Sequence, residues 1–270
     1  MNPYKLLVLD IDGTLLDKNG AISAEDRNAL ARVCDLGVPV SLSTGRVVKA
    51  CSGIISQLSL DSYHIFFDGA LVSNPNHGKE IYVQPIDKMV VKQAIEFAHL
   101  NGINLEFYSA NHYFVERETW ASDIRRDFYH TPPIAVDISK LWQKERIIKG
   151  VLTVRSPEER AKAEILYLQF KDSLSFSWTK TPAYPEVDFI NVLAPEVSKG
   201  EALRALAVMR PKLRVFVFPI PVPIPLWSAV IGGFLIISLF PHIAWQAHLG
   251  GLVSGLIAGY FFRKREHFFF

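Results

Sequence analysis

Two carboxylates, Asp10 and Asp12, follow directly on the apolar run Leu6-Leu7-Val8-Leu9 and are followed by Gly13 and Thr14. In extended chain, side chains two residues apart point to the same side. Hard oxygen donors placed in this way suit a divalent cation, or they divide the work of a nucleophile and an acid. A plain turn is the alternative, because Asp and Gly are common turn residues. A calcium loop of the EF-hand kind is excluded: it needs glycine at its sixth position, and Gly13 stands fourth from Asp10. Two further segments carry polar groups of the right kind. In Ser43-Thr44-Gly45-Arg46, a strand-to-helix turn, a hydroxyl and free backbone amides can hold a phosphate oxygen, or Ser43 or Thr44 can serve as an ordinary N-cap. Ser198 and Glu201 form a capping box that starts a helix. Lys199 then falls in the first turn, where a cation is electrostatically unfavourable; a nearby anion accounts for it, and a solvated surface residue is the alternative.

The elements that must position these groups are legible as a pattern. The apolar run from Tyr4 to Leu9 has the length and two-sided hydrophobicity of a strand in a parallel sheet. Its carboxyl end is where open α/β sheets bind ligands. Ser23, with Asp26 three residues on, predicts a helix start, and Leu36-Gly37 predicts its end. Val38 to Leu42 and Tyr63 to Phe67 predict two more strands, the second running into Asp68-Gly69-Ala70. From about Val83 to Pro185 the pattern becomes mixed. Lys88 to Leu100 and Ala161 to Phe170 predict helices, and Leu105 to Tyr108 and Tyr113 to Val115 predict short strands.

Composition narrows the function classes. The 270 residues, 49% hydrophobic, suffice for one large or two ordinary domains. The formal net charge is +2, but the residues beyond Met209 hold six basic groups (Arg210, Lys212, Arg214, Arg263, Lys264, Arg265) against Glu266 alone. The first 209 residues therefore carry −3, which argues against a nucleic-acid surface. Cys34 and Cys51 form no C-x-x-C pair and read as core residues; with no signal-like N-terminal segment, a reducing cytosol is expected for this part. From Val215 through Phe262 there is no Asp, Glu, Lys or Arg. That stretch is long enough for two spans of about 20 residues each, read here as Leu226 to Phe240 and Ile243 to Phe262. Basic clusters on both sides of it predict a hairpin with both ends in the cytosol.

The string Asp10-Ile11-Asp12-Gly13-Thr14-Leu15 resembles the nucleophile motif of the haloacid dehalogenase superfamily, and the spacing from it to the Thr44 and Lys199 segments is similar to that of the Cof-type, sugar-phosphatase-like branch. The resemblance implies an aspartyl-phosphate mechanism with Asp10 as nucleophile and Asp12 as acid and base. It also implies Mg2+ on Asp10 and Asp12, Thr44 on the phosphate, and Lys199 offsetting phosphoryl charge. The fold it implies is α/β: a Rossmann-like parallel sheet core at residues 1–82 and 186–209, with an inserted α/β cap at 83–185. Asp68 stands where the branch usually has Asn, and no role is carried over to it.

The superfamily's fourth, acidic motif is absent, so the sheet core reads as C-terminally incomplete and the metal site as short of carboxylates. Residues 210–270 read as a membrane hairpin. Within it, the segment from Ala247-His248-Leu249-Gly250-Gly251 to Leu256 resembles the last two membrane helices of rhomboid proteases. The matching histidine there is the catalytic base, but this chain has no Gly-x-Ser-Gly nucleophile motif. The sequence thus predicts a magnesium-dependent phosphohydrolase of small phosphate esters, impaired by the missing motif and held at a membrane with its catalytic domain in the cytoplasm. The alternative is a rhomboid-like fragment or non-catalytic membrane module carrying a passenger domain.

Overall fold

A computed structural model describes residues 6–17, 20–129, 132–181, 184–208, 214–215 and 224–225. They fall into two compact units, one drawn from Met1–Leu42, Leu60–Tyr63 and Leu203–Phe270, the other from Ser43–Ser59 and His64–Ala202.

In the first unit, β1 (Leu7–Leu9) pairs in parallel with β2 (Val40–Leu42), Leu7 opposite Val40 and Leu9 opposite Leu42. Parallel neighbours need a crossover of a dozen or more residues, and α1 (Ala24–Asp35) supplies it. This helix begins and ends where the sequence predicts. The Ser23 hydroxyl accepts from the Asp26 N–H at 3.0 Å, and the chain leaves through Leu36 and then Gly37 at φ 74°. Strand β2 starts two residues later than expected, and among the described residues β1 pairs with β2 alone.

The second unit opens with α2 (Val48–Gln57), followed by β3 (His64–Phe66), β4 (Leu71–Asn74) and β5 (Lys79–Val83). Here the structure adds two strands, β4 and β5, that the sequence pattern does not predict. Strand β3 pairs antiparallel with β4, and β4 with β5, because the turn Phe67–Gly69 reverses the chain with φ of 53°, 56° and 108° at its three residues. A single parallel bridge, Ser43 to Ile65, joins the loop before α2 to β3.

Helix α3 (Lys88–Leu100), with the predicted bounds, is capped by Asp87, whose carboxylate accepts from Met89 and Val90. After it come β6 (Glu106–Tyr108), β7 (Tyr113–Val115), α4 (Trp120–Tyr129), β8 (Ile134–Ala135), α5 (Leu141–Lys144) and β9 (Lys149–Val154). Helix α6 (Pro157–Phe170) starts on a full capping box between Ser156 and Glu159, four residues before the predicted start at Ala161, and is followed by β10 (Ser175–Thr181) and β11 (Tyr184–Leu193). Six of these strands form one sheet in the order β10-β11-β9-β6-β7-β8 among the described residues. Its apolar face, with Phe107, Leu152, Ile190 and Val192, packs on α3 and α6 through Val91, Ile95, Leu166 and Phe170. A buried ion pair also crosses this unit. Arg125 Nε lies 3.4 Å from Glu106 Oε2, its Nη2 donates to Thr153, and its guanidinium stacks 4.6 Å over Phe189.

Helix α7 (Lys199–Val208) closes the described α/β part, and β12 (Arg214–Val215) with β13 (Ile224–Pro225) makes a two-residue antiparallel ladder. The proposed spans from Leu226 to Phe262, with His248, lie outside the described residues. Among the described residues no helix is long and apolar enough to cross a membrane. Of the two cysteines only Cys51 is in the core; Cys34, on the outer side of α1, is exposed, contrary to expectation.

Candidate active site

Asp10 follows β1 immediately, and the chain turns at once. The carbonyl of Ile11 accepts from the N–H groups of Thr14, Leu15 and Leu16, and Gly13 takes φ 77°, a left-handed conformation open to glycine at no steric cost. Ile11 itself is fully buried, whereas Asp10 is half-buried and Asp12 exposed. A side chain anchored in the core thus stands between two carboxylates at the carboxyl end of a strand.

Thr44, in the second unit, is buried in a loop rather than at a helix start. The alternative of an ordinary N-cap at Ser43 or Thr44 does not hold: α2 begins four residues after Thr44, at Val48, and its cap residue Val47 makes no side-chain bond. Strand-like pairing carries on past β2, since the Thr44 N–H donates to the Ile65 carbonyl at 2.9 Å, so the chain cannot yet coil. The Thr44 hydroxyl oxygen accepts from the Arg46 N–H at 3.1 Å, which leaves the hydroxyl proton to donate to an anion.

Lys199 is the first residue of α7 and half-buried. The Ser198 hydroxyl accepts from the Glu201 N–H at 3.1 Å, as the capping pattern predicts. The turn Phe67–Gly69 links both segments. Asp68 N–H donates to the Thr44 carbonyl at 3.0 Å and Phe67 N–H to the Arg46 carbonyl at 3.1 Å. Gly69, at φ 108°, lies so close to the start of α7 that an added Cβ would sit 2.1 Å from the Ser198 carbonyl oxygen and 2.8 Å from the Lys199 nitrogen. Thr44 and Lys199 are therefore anchored to the same three residues, while Asp10 and Asp12 belong to the other unit.

Sequence reasoning missed one charged residue here. Lys149, at the start of β9, is buried, and its ammonium lies 3.3 Å from the Gly45 carbonyl and 3.4 Å from Asp68 Oδ2. Burial pushes its amine below the ordinary lysine range, and the Asp68 carboxylate opposes that shift. No signal in the sequence separates this lysine from a solvated one. Nearby, a hollow is lined by Val47, Lys49, Tyr108 and His112.

As a metal site, Asp10 and Asp12 offer two hard oxygen donors. That suits Mg2+, which keeps several waters and is held through one or two carboxylates plus substrate oxygens. Among the described residues no group of three or more His, Cys, Asp and Glu side chains is gathered for a metal.

Residues 7–213 match the family of haloacid dehalogenase-like hydrolases, and the chain belongs to that family. It is an enzyme of the phosphatase type, with an α/β, Rossmann-like fold. Residues 202–265 match the Rhomboid domain. Phosphatase YwpJ of Bacillus subtilis is 23% identical over 222 residues, 75% of this chain and 78% of that protein. The 5-amino-6-(5-phospho-D-ribitylamino)uracil phosphatase YcsE of the same organism is 39% identical over 72 residues, 27% of this chain and 29% of that one. The crystal structure of TM0651 from Thermotoga maritima superposes with a TM-score of 0.66 at 25% identity, covering 76% of this chain and 74% of the other.

Proposed function

We propose that the chain hydrolyses small phosphate monoesters through an aspartyl-phosphate. An Asp10 oxygen attacks phosphorus, the bond from phosphorus to the ester oxygen breaks, and Asp12 gives its proton to the departing alkoxide. Asp12 then takes a proton from water as that water attacks the aspartyl-phosphate, releasing Asp10 and inorganic phosphate. The Thr44 hydroxyl and the Lys199 ammonium hold the phosphoryl oxygens and offset their charge. Mg2+, when bound on Asp10 and Asp12, supplies further neutralisation of that charge. The observation that carries this reading is the anchoring of Thr44 and Lys199 on the single turn Phe67–Gly69, which couples a hydroxyl donor and a cation of the kind that phosphoryl transfer requires. The substrate class rests on the relatives: YcsE is named for a small phosphorylated pyrimidine, and a compact phosphate ester of that order is the class proposed here.

The test is turnover of p-nitrophenyl phosphate by the full chain against a magnesium titration. With two carboxylates for the metal, saturation belongs in the millimolar rather than the micromolar range, and Asp10→Asn removes turnover. Turnover that survives in Asp10→Asn rules the mechanism out.

The match of residues 202–265 to the Rhomboid domain favours a second, compatible property. The uncharged stretch from Val215 to Phe262 with its basic flanks anchors the chain in a membrane, both flanks on the cytosolic side. His248 performs no proteolysis, because its serine partner motif is missing from this chain. Carbonate extraction leaves an anchored chain in the membrane pellet; recovery in the supernatant rejects the anchor.

A further inference from the structure

Lys149 is difficult to explain as a contribution to stability. Its side chain is only 4% exposed and its carboxylate partner, Asp68, is 34% exposed, so the ammonium bears most of the desolvation. Buried ion pairs of this kind can usually be replaced by apolar residues at little cost or with a gain. What the pair does have is a location. The ammonium lies at the junction of the Thr44 loop and the Phe67–Gly69 turn, donating to the Gly45 carbonyl on one side and Asp68 Oδ2 on the other.

The surroundings are interlocked. Gly45 approaches Asp68 so closely that an added Cβ would lie 2.5 Å from Oδ1, and the Asp68 N–H holds the Thr44 carbonyl. Asp68 sits at φ 56°, a conformation that Asp and Asn tolerate better than most residues. Behind Lys149 is a rigid support: β9 pairs with β6, Lys149 opposite Tyr108, and the Ile148 N–H donates to the Tyr108 carbonyl at 2.8 Å. A cation on a sheet thus reaches the residue next to Thr44.

We infer that Lys149 and Asp68 are positioning residues: together they fix the Gly45 carbonyl, and with it the direction in which the Thr44 hydroxyl donates to a phosphoryl oxygen. The inference rests on the reading of Thr44 as a phosphate contact.

The experiment compares the full chain with Thr44→Ala, Lys149→Met and the double variant Asp68→Asn/Lys149→Met. It measures inorganic phosphate binding by calorimetry, KM and kcat for p-nitrophenyl phosphate, and the melting temperature. Lys149→Met is expected to weaken phosphate binding and raise KM by about ten-fold or more, with kcat moved far less, and to lower the melting temperature by leaving Asp68 unpaired. In the double variant no charge is left unpaired, so the melting temperature recovers. Phosphate binding and KM stay impaired, because the Gly45 carbonyl still lacks its donor. If Lys149→Met fails to fold, the double variant decides. Recovery of phosphate affinity together with stability in the double variant overturns the inference and leaves the pair a structural one. Unchanged phosphate binding in Thr44→Ala overturns the phosphate reading of Thr44 itself, and the inference with it. Weakened binding in Thr44→Ala with wild-type binding in the double variant removes the positioning role alone.

Discussion

Gly69→Ala is the substitution whose cost is most directly set by the structure. At φ 108° the residue lies outside the region that L side chains adopt, and holding alanine there costs about 1–3 kcal/mol. The new methyl would also lie 2.1 Å from the Ser198 carbonyl oxygen and 2.8 Å from the Lys199 nitrogen. Both are backbone atoms of a helix start, so no side chain can swing aside, and relieving the overlap by overpacking adds about 1–3 kcal/mol. The sum, about 2–6 kcal/mol, is a large part of the 5–15 kcal/mol typical of a folded domain. With a urea slope of about 1–3 kcal/mol per molar, the unfolding midpoint should fall by about 0.7 M or more. Because the relief displaces the first turn of α7, phosphate affinity should fall as well, through Lys199. The measurement is a urea titration of the full chain by far-ultraviolet circular dichroism, alongside phosphate calorimetry. A midpoint within about 0.3 M of the parent would refute the reasoning, since a shift that small leaves room for neither the left-handed backbone cost nor the overlap.

Other perturbations have equally definite signs. Arg125→Met strands the buried Glu106 carboxylate and should cost about 3–5 kcal/mol in the same titration, most of it regained in Glu106→Gln/Arg125→Met; a loss under about 1 kcal/mol would show that the pair is not desolvated. Ser156→Ala removes the acceptor for the Glu159 N–H at the start of α6 and should cost about 1 kcal/mol. At the same cap, burial alone would raise the Glu159 carboxyl. The N–H groups of Arg155 and Ser156 outweigh that and hold it below the usual range. A depressed carboxyl stabilises the fold above its ordinary pKa and loses that contribution as pH falls through the folded value. Acid titrations should therefore show a shallower loss of stability below about pH 4.5 in Glu159→Gln than in the parent, and identical slopes would refute the assignment.

What the sequence disclosed and what it concealed divide along a physical line. Ser23 with Asp26 and Ser198 with Glu201 are local devices, in which cap and partner lie three residues apart. Such pairs are legible because the chain itself brings them together. The two carboxylates flanking Ile11 were legible for the same reason. The reversal at Phe67–Gly69 was half-signalled, since Asp68-Gly69 is a turn dipeptide, but nothing in the sequence announces a positive φ at Phe67. The capping alternative for Thr44 fails because its backbone is claimed by Ile65, a partner 21 residues away. Lys149 was invisible. In Ile147-Ile148-Lys149-Gly150-Val151 a lysine looks like the solvent face of a strand, and only contacts to Gly45 and Asp68, 104 and 81 residues distant, make it an interior group.

The division of the chain between the two units also sets an order of events during synthesis. One unit is a nearly continuous piece ending at Ala202, and its strands pair with partners inside that piece. The other combines Met1–Leu42 with Leu60–Tyr63 and with residues from Leu203 onward, so the unit that carries Asp10 and Asp12 cannot be completed until Leu203 has been made. For the time needed to translate some 160 intervening residues, on the order of ten to thirty seconds at about 5–20 residues per second, Leu7-Val8-Leu9 waits as an apolar strand with β2 as its one described partner. During that interval an apolar strand short of partners is open to association with other chains, the situation in which chaperones act.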